Sequence, residues 1–460
     1  MAGIGFRLEK LFGKGDLLST AKGCIYSVVI SSGPWLITIV SIAFISLYAQ
    51  GNLDEHNRLL LKAIISYSFA IALIFFGAIE MPITRYLADK LYLEDISTLR
   101  PLYFTILFVI ILLGGAGSYL FYIDLPRSLF FKVSTTALYT SIFTVWVAMV
   151  FLGAAKRYTQ IVVGFLVGGF ASALLSIWGG QHYQLVGNIA GLALGQGILS
   201  IYLSIRVILE FQTRDQFSLE IVDYFMRYRR LIVIGISYYC AIWIDKFIYW
   251  FSSLGIHIEG PFYTNLYYDT SMFLAYLTIV PSLSFFLVRI ETSFYQAYRN
   301  YFSVIEYKAT LAVIDQASAD MVDALRKSVM PLFKLQTFVT VITIFFTPEL
   351  IDLFHLPVMM VPIFRYGVLG AYLQALFLLC NIILLYFQCQ KSVLINYLTF
   401  FGSNLFFSWW LIDYPFYYHG MGFLASSALT FFISIWSLNY QLRNINALTF
   451  MGQPMVSGNV

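Results

Sequence analysis

Four charged residues within long apolar stretches of the sequence are candidates for a functional role: Glu80, Asp245, Lys246 and Asp269. A charge at the centre of a bilayer costs about 2.5–3.5 kcal/mol on insertion scales, so it is normally kept for a cavity, a proton path or an ion pair. Asp245 and Lys246 are adjacent, so on a helix they point about 100° apart and pair poorly with each other. We therefore expect partners on other helices, either cargo groups in a polar cavity or residues of a structural ion pair.

The other two carboxylates have positions that fit two interpretations each. Glu80 stands two residues before Pro82 near the end of its stretch, where a satisfied carboxylate at a helix end and a cavity residue fit equally well. Asp269 follows Tyr268 near the start of its stretch, which slightly favours solvated pore lining. The residues predicted to line a cavity or substrate path are Asp245, Lys246, Asp269, Tyr268 and Glu80.

No pattern for a chemical reaction appears in the sequence. The phosphate-binding pattern G-x-x-x-x-G-K-[ST] is missing, as are a metal-ligand cluster and a recognisable nucleophile setting. The four cysteines have neither paired nor metal-type spacing. The sequence therefore predicts no enzyme activity, no cofactor and no metal, and transport would draw on an ion gradient, a partner or substrate synthesis.

The composition is that of an integral membrane protein. Of 460 residues, 60% are hydrophobic and 11% charged, and the mean hydropathy is +0.78, which leaves too little polar surface for a soluble domain. A helical crossing needs roughly 20 apolar residues. The twelve predicted crossings are about 24–48, 61–83, 101–122, 134–155, 158–178, 187–208, 231–254, 264–288, 329–348, 362–388, 393–412 and 420–442.

Lysine and arginine are unevenly distributed between the segments that connect these crossings. Most fall in one alternating set, which contains both termini, whereas the opposite set holds a few, such as Arg58, Lys62 and Arg127. Cytoplasmic loops carry the excess of basic residues. We therefore predict that both termini are cytoplasmic.

The longest hydrophilic breaks are about 209–230 and 289–328, and the first divides the twelve crossings six and six, as in a duplicated bundle. We predict a cytoplasmic segment 1–23, a lobe 24–208, a linker 209–230, a lobe 231–442 and a cytoplasmic tail 443–460. The fold class is all-α, with two six-helix lobes around a central cavity. In the first crossing, Gly33 and Pro34 predict a helix break or hinge, because Pro removes a backbone hydrogen bond.

The break at 289–328 is too long for an unstructured loop and has an apolar helical pattern. It predicts one or two amphipathic cytoplasmic helices within the second lobe. Their apolar face would either lie in the membrane interface or dock a soluble partner. The residues predicted for docking are Phe294, Tyr298, Tyr301 and Ile305.

Small residues recur at four-residue spacing in the fifth and sixth crossings, at Gly164 and Gly168 and at Gly187, Gly191 and Gly195. This G-x-x-x-G pattern lets helix backbones approach closely. Close packing is the favoured interpretation, and a glycine hinge is the alternative.

Aromatic residues make up 18% of the chain, including 33 Tyr. Sugar rings stack on such faces, but Tyr and Trp also form belts at both membrane interfaces. A sugar role therefore requires that residues such as Trp243, Tyr249, Trp250, Tyr263 and Tyr268 cluster in three dimensions.

Several segments together resemble one known family. They are the opening MAGIGF, ISSGPW from Ile30 to Trp35, WIDKF from Trp243 to Phe247, and the stretch from Tyr267 to Tyr295. The chain resembles PelG-type exopolysaccharide transporters over essentially its whole length. The resemblance implies the fold of the multidrug/oligosaccharidyl-lipid/polysaccharide flippase superfamily and a place in the bacterial inner membrane.

The resemblance also implies a cargo and partners. The cargo would be the Pel polymer of the biofilm matrix, which is rich in N-acetylgalactosamine and partly deacetylated. The implied partners are a cytosolic glycosyltransferase, a cyclic di-GMP receptor in the membrane and a tetratricopeptide-repeat membrane protein. The alternatives are a flippase for lipid-linked saccharides or a small-molecule antiporter of the same fold, and a non-transporting scaffold for the glycosyltransferase.

Overall fold

The computed structural model describes residues 33–212, 220–280, 282 and 294–451. Eight described helices are long and apolar enough to cross a membrane by length and composition. One of them, Tyr158–Glu210, contains both the fifth and the sixth predicted crossings and kinks at Tyr183 and Gln184. The first, eighth and eleventh crossings correspond to Gly33–Asn52, Leu266–Leu277 and Gln390–Trp410. Each predicted crossing thus contains helix, although residues 24–32, 281 and 283–288 lie outside the described ranges.

Contacts divide the chain into two compact units. The N-terminal unit comprises the described residues of Ser32–Asp269 and Asn404–Asp413, and the C-terminal unit those of Thr270–Ser403 and Tyr414–Val460. The first unit's helices and strands are α1 Gly33–Asn52, α2 Glu55–Tyr92, α3 Leu99–Val109, a π-helical turn Ile110–Gly114, α4 Gly115–Tyr122, α5 Leu129–Ala154, α6 Tyr158–Glu210, α7 Glu220–Arg227, α8 Arg229–Trp250, β1 Ile256–Glu259, β2 Phe262–Thr264 and the start of α9 Leu266–Leu277.

The C-terminal unit is also helical in its described part. Its elements are the rest of α9, then α10 Tyr295–Glu306, α11 Leu311–Phe345, α12 Thr347–Leu353, α13 Met360–Tyr386, most of α14 Gln390–Trp410, a 3₁₀ turn Phe416–Tyr418, α15 Met421–Arg443 and α16 Ile445–Met451. The predicted cytoplasmic insertion therefore contains the short helix α10, and its second part is continuous with the ninth crossing in α11. The predicted lobe boundary at 209–230 differs from this division, since α8 packs with the earlier helices; the lobe limits stay a prediction.

Glycine residues allow the fifth and sixth crossings, the two arms of α6, to pack closely against each other. A Cβ on Gly191 would overlap the backbone of Leu175 and Ser176, and one on Gly195 would overlap the backbone of Ser172. The two arms of α6 therefore touch backbone to backbone, as the G-x-x-x-G spacing predicts. The packing interpretation of these glycines is confirmed.

A short hairpin that the sequence patterns did not indicate follows α8. Strands β1 and β2 pair antiparallel, with Ile256 opposite Thr264. Gly260 occupies the turn with φ +55°, a conformation that favours glycine. The hydroxyl of Tyr67 in α2 accepts from the backbone N–H of Tyr263 (3.1 Å) and donates to the Tyr263 carbonyl (3.2 Å). The hairpin is thus fixed to α2 directly beside the end of α8.

Candidate functional site

Asp245 lies on α8 and is fully buried, with 0% of its surface exposed. Its Oδ2 accepts a hydrogen bond of 2.5 Å from the hydroxyl of Tyr268, near the start of α9. Its Oδ1 receives no hydrogen bond from the described residues. A buried carboxylate oxygen without a donor is costly, so this atom is an acceptor available to an incoming donor.

Lys246 lies next to this carboxylate and is 7% exposed. Its Nζ is 3.8 Å from Asp245 Oδ1, which is longer than a hydrogen bond, and it donates to the carbonyl of Ile242 at 3.2 Å. The ammonium also lies 5.1 Å from the centre of the Trp243 ring, within cation–π range. The two charges are therefore close but weakly paired, and the hydrogen-bond partner of Asp245 comes from the next helix, as expected.

Asp269 belongs to an adjoining cluster in which the protein itself supplies the donors. The indole N–H of Trp250 donates to Oδ1 at 2.9 Å and Oδ2 at 2.8 Å. Thr264 Oγ1 and the backbone N–H of Asn265 donate to Oδ2 at 3.1 and 3.3 Å. Asn265 in turn accepts from the backbone N–H of Tyr268, as a helix N-cap does. These contacts favour a structural role, joining α8, β2 and α9, over pore lining.

Aromatic rings cover both carboxylates. Tyr249 and Tyr268 have ring centres 4.3 Å apart, and Trp250 stacks on Tyr67 at 4.6 Å and 11°. Trp243 and Trp250 are 6.4 Å apart. The three-dimensional clustering that a sugar role requires is therefore present around Asp245, Lys246 and Asp269.

Glu80 lies away from this cluster. Its Oε2 accepts from the hydroxyl of Tyr239 at 2.9 Å, and Tyr239 precedes Asp245 by six residues, about 9 Å along the helix. The contact lies beside the crossing of α2 and α8, where Gly77 and Gly235 touch, since a Cβ on either would overlap the other's backbone. The described contact is that of a satisfied carboxylate within a tight helix pair.

The structure thus joins three of the five predicted path residues directly, places a fourth beside them and leaves the fifth apart. Asp245, Lys246 and Tyr268 form one polar cluster, Asp269 adjoins it through Trp250, and Glu80 is separate. Sequence reasoning missed Tyr239, Thr264 and Asn265 as partners. An Asn directly before a helix start was a signal that could have identified the cap.

Gly33 and Pro34 open α1, and Pro34 stands in its first turn. The Pro34 carbonyl accepts from the hydroxyl of Thr38 at 3.0 Å, a bond within the helix. Residues 24–32 lie outside the described part, so the predicted hinge stays a prediction.

The residues predicted to dock a partner lie on α10 or directly before it, and the chain covers most of that face itself. Phe294 and Tyr301 are 0% exposed. Tyr298 donates to the carbonyl of Tyr386 at 3.0 Å, and Tyr301 donates to Asn446 Oδ1 at 2.8 Å. These three side chains therefore pack on α13 and α16 of the same chain, as an amphipathic helix buries its apolar face on a neighbouring surface, and partner docking at this face stays a prediction. Ile305 is half-buried.

The sequence of the chain matches a known protein family over nearly its whole length. The family model of the PelG exopolysaccharide exporter (EPS-E) matches residues 1–450. The chain belongs to this family. The resemblance seen in the sequence is therefore confirmed. No curated protein matches the chain significantly in sequence.

Solved structures share the fold of this PelG family member. A MOP superfamily transporter from Pyrococcus furiosus is 12% identical with a TM-score of 0.64, covering 91% of this chain and 96% of its own. A multidrug resistance MATE family transporter in its inward-facing conformation is 12% identical with a TM-score of 0.63, covering 92% of this chain and 99% of its own. The outward-facing conformation of a MATE family transporter is 12% identical with a TM-score of 0.64, covering 92% of this chain and 96% of its own.

At these identities the likeness concerns the fold. This is the MATE-like fold of the MOP superfamily, which has twelve helices in two lobes, so the predicted fold class is confirmed. Family and fold together make the chain a multi-pass membrane transporter of the exopolysaccharide export family.

Proposed function

We propose that the chain exports the Pel polysaccharide, a partly deacetylated polymer rich in N-acetylgalactosamine, from cytoplasm to periplasm during biofilm matrix synthesis. The family match over residues 1–450 supports an exopolysaccharide as cargo. The observation that carries the residue-level proposal is the buried Oδ1 of Asp245, which lacks a donor among the described residues.

The chemistry of that atom suits this cargo. Sugar hydroxyls and the ammonium groups of deacetylated sugars are hydrogen-bond donors, and a charged acceptor strengthens such bonds. Lys246 beside it can donate to sugar oxygens, and Tyr249 and Tyr268 offer faces for sugar rings. The cluster therefore presents an acceptor, a donor and a stacking surface within one region of α8 and α9.

Access to the site requires a conformational change. Asp245 is fully buried and Tyr268 is 1% exposed, so cargo reaches Oδ1 when the Tyr268 side chain moves away from Asp245. Breaking the bond between Tyr268 and Asp245 is the local step in that movement. Binding of a sugar donor to the carboxylate would compensate for the lost tyrosine bond.

In this proposal the protein resides in the bacterial inner membrane with both termini in the cytoplasm. Its partners are the glycosyltransferase, the cyclic di-GMP receptor and the tetratricopeptide-repeat protein of the synthase complex. Polymer synthesis or the membrane potential gives the movement its direction, with no cofactor in the chain.

Secretion by cells carrying single substitutions tests the proposal. Asp245→Asn keeps the shape and removes the charge, and we expect secreted polymer to fall about tenfold or more, since a hydrogen bond to a charged group contributes about 1.5–3 kcal/mol. Tyr268→Phe removes the closing bond and should change secretion less. Immunoblots of the membrane fraction confirm that each variant is present at wild-type level.

Asp124→Asn provides the matched control, because Asp124 is exposed in the segment between α4 and α5. It should secrete like the wild type. Wild-type secretion by Asp245→Asn would remove this residue from the path. A scaffold without transport predicts that result, although its proposed docking face is largely covered by the chain's own helices.

A further inference from the structure

A small cavity lies within the N-terminal unit at the ends of α1, α2 and α9. Its volume is about 130 Å³, too small for a drug-sized ligand, whose pockets start near about 300 Å³, but larger than a single water's share of about 30 Å³. It is separate from the Asp245 cluster. Its lining residues are Ser46, Ala49, Gln50, Glu55, Arg58, Leu59, Leu61, Lys62 and Leu266.

Two cations line this cavity from one face of α2. Arg58 and Lys62 are four residues apart, so their side chains are neighbours on the helix, where like charges repel. Within the described residues neither makes an ion pair, and Arg58 has a single hydrogen bond, a long one of 3.5 Å from Nη1 to the Gln50 carbonyl. Glu55 is the carboxylate in the lining, and it lies beyond ion-pair distance of both cations.

Four other cations of this unit are placed differently. A carboxylate lies within hydrogen-bond distance of each of these cations and pairs with it. The examples are Arg127 with Glu259, Arg157 with Glu210, Lys90 with Asp95 and Arg85 with Asp89. Two neighbouring cations without such a partner, facing one cavity, therefore form a site that favours an anion.

The donor geometry indicates which anion. A guanidinium presents a planar fork that matches the oxygens of a phosphate, and an ammonium adds a point charge. The side chains of Ser46 and Gln50 add polar groups to the lining. We propose that Arg58 and Lys62 bind a phosphate group in this cavity.

The position along α2 allows two sources for that phosphate. The predicted second crossing begins near residue 61, so Arg58 and Lys62 stand where a crossing meets the membrane interface. Lipid headgroups carry their phosphate at this depth, and a soluble phosphate reaches the same place from water. This inference does not depend on the cargo proposed above.

Binding to the purified full-length protein tests the site with two probes. Inorganic pyrophosphate is titrated by calorimetry in a neutral detergent, and phosphatidylglycerol is titrated in the same detergent by native mass spectrometry. We expect Arg58→Gln and Lys62→Gln each to weaken binding of the recognised probe about tenfold. Glu55→Gln removes the carboxylate from the lining and should strengthen binding several-fold.

Lys391→Gln is the matched control, because it removes an equal charge from an exposed position on α14, and it should bind like the wild type. Each variant must elute as one species with an unchanged Tm. Specific loss of pyrophosphate binding identifies a soluble phosphate, and specific loss of phosphatidylglycerol binding identifies a headgroup. The proposal is overturned if neither probe responds to the Arg58 and Lys62 variants, or if Lys391→Gln weakens binding equally.

Discussion

The two compact units differ in the charged side chains that they bury. In the N-terminal unit, Asp245 and Lys246 are buried side by side. In the described part of the C-terminal unit, the buried polar side chains include amides and hydroxyls and no Asp, Glu, Lys or Arg. Its amide and hydroxyl members include Gln336, Gln374, Asn381, Asn396, Ser426, Ser427, Thr430 and Ser434.

The amides of the C-terminal unit join helices. Asn396 Nδ2 donates to Asn381 Oδ1 at 2.8 Å, and Asn381 Nδ2 donates to Ser434 Oγ at 3.2 Å, so α13, α14 and α15 are connected. Such bonds contribute about 0.6 kcal/mol each on average within membranes. Buried charge costs more and connects helices no better, so its presence in the other unit points to a functional requirement there.

The largest expected difference between the units concerns transport. Asp245→Asn should reduce secretion about tenfold or more, because a hydrogen bond to a charged group contributes about 1.5–3 kcal/mol. Gln336→Met, which keeps the length of a fully buried side chain, should leave secretion within about twofold, because it removes hydrogen bonds of only 3.4 Å together with an acceptor, Oε1, that has no donor among the described residues. Secreted polymer is normalised to protein in the membrane. Equal losses would abolish the functional distinction between the units.

Packing should also differ, with a smaller effect. A Cβ on Gly235 overlaps the backbone of Gly77, whereas one on Gly367 lies 3.0 Å from the flexible Met272 Sδ and from Ala275 Cβ. Gly235→Ala should lower stability by about 1–3 kcal/mol or more, and Gly367→Ala by less. Thermal unfolding in detergent measures both. Equal Tm values for the two variants would show that the α2–α8 crossing adapts more easily than its geometry indicates.

Asp269 lies in the same unit as Asp245, but we expect it to contribute to stability and not to transport. Because the chain already supplies its donors, Asp269→Asn should lower stability by about 1.5–3 kcal/mol, and secretion per folded protein should stay near that of the wild type. The measurement pairs a Tm with normalised secretion. A tenfold loss of secretion at normal stability would return Asp269 to the substrate path.

The smallest expected effect concerns the hairpin and pH. Arg127 donates to both Glu259 oxygens, with Nε–Oε1 2.9 Å, and His56 Nε2 lies 3.3 Å from Oε2. The Arg127 hydrogen bonds, opposed by burial, lower the pKa of Glu259 below its ordinary value. The pair therefore stabilises the fold above the unfolded pKa of about 4.3, and this contribution disappears as pH falls through the lower, folded value.

Thermal unfolding between pH 7 and pH 3 measures that contribution. Glu259→Gln should lose about 0.2–1 kcal/mol at pH 7 and show less destabilisation by acid than the wild type. Identical pH dependence of Tm in both proteins would show that protonation of Glu259 does not contribute to the loss of stability in acid.

Sequence patterns predicted what depends on composition and spacing. Long apolar runs gave the helices, and the spacing of Gly187, Gly191 and Gly195 gave close packing. Partner choice depends on contacts distant in sequence, so the bond between Glu80 and Tyr239 was not predictable. The hairpin at 256–264 is too short for a periodic signal. The face of α10 looked free because its covering helix, α16, lies 145 residues away at Asn446.

Reconstituted transport tests the central claim most directly. Purified protein in liposomes is supplied with galactosamine-containing oligosaccharides, with and without the active synthase and a membrane potential. The account predicts saturable movement by the wild type in at least one condition and at most about a tenth of that rate for Asp245→Asn. Equal movement by both proteins, or no movement by the wild type in any condition, would contradict it.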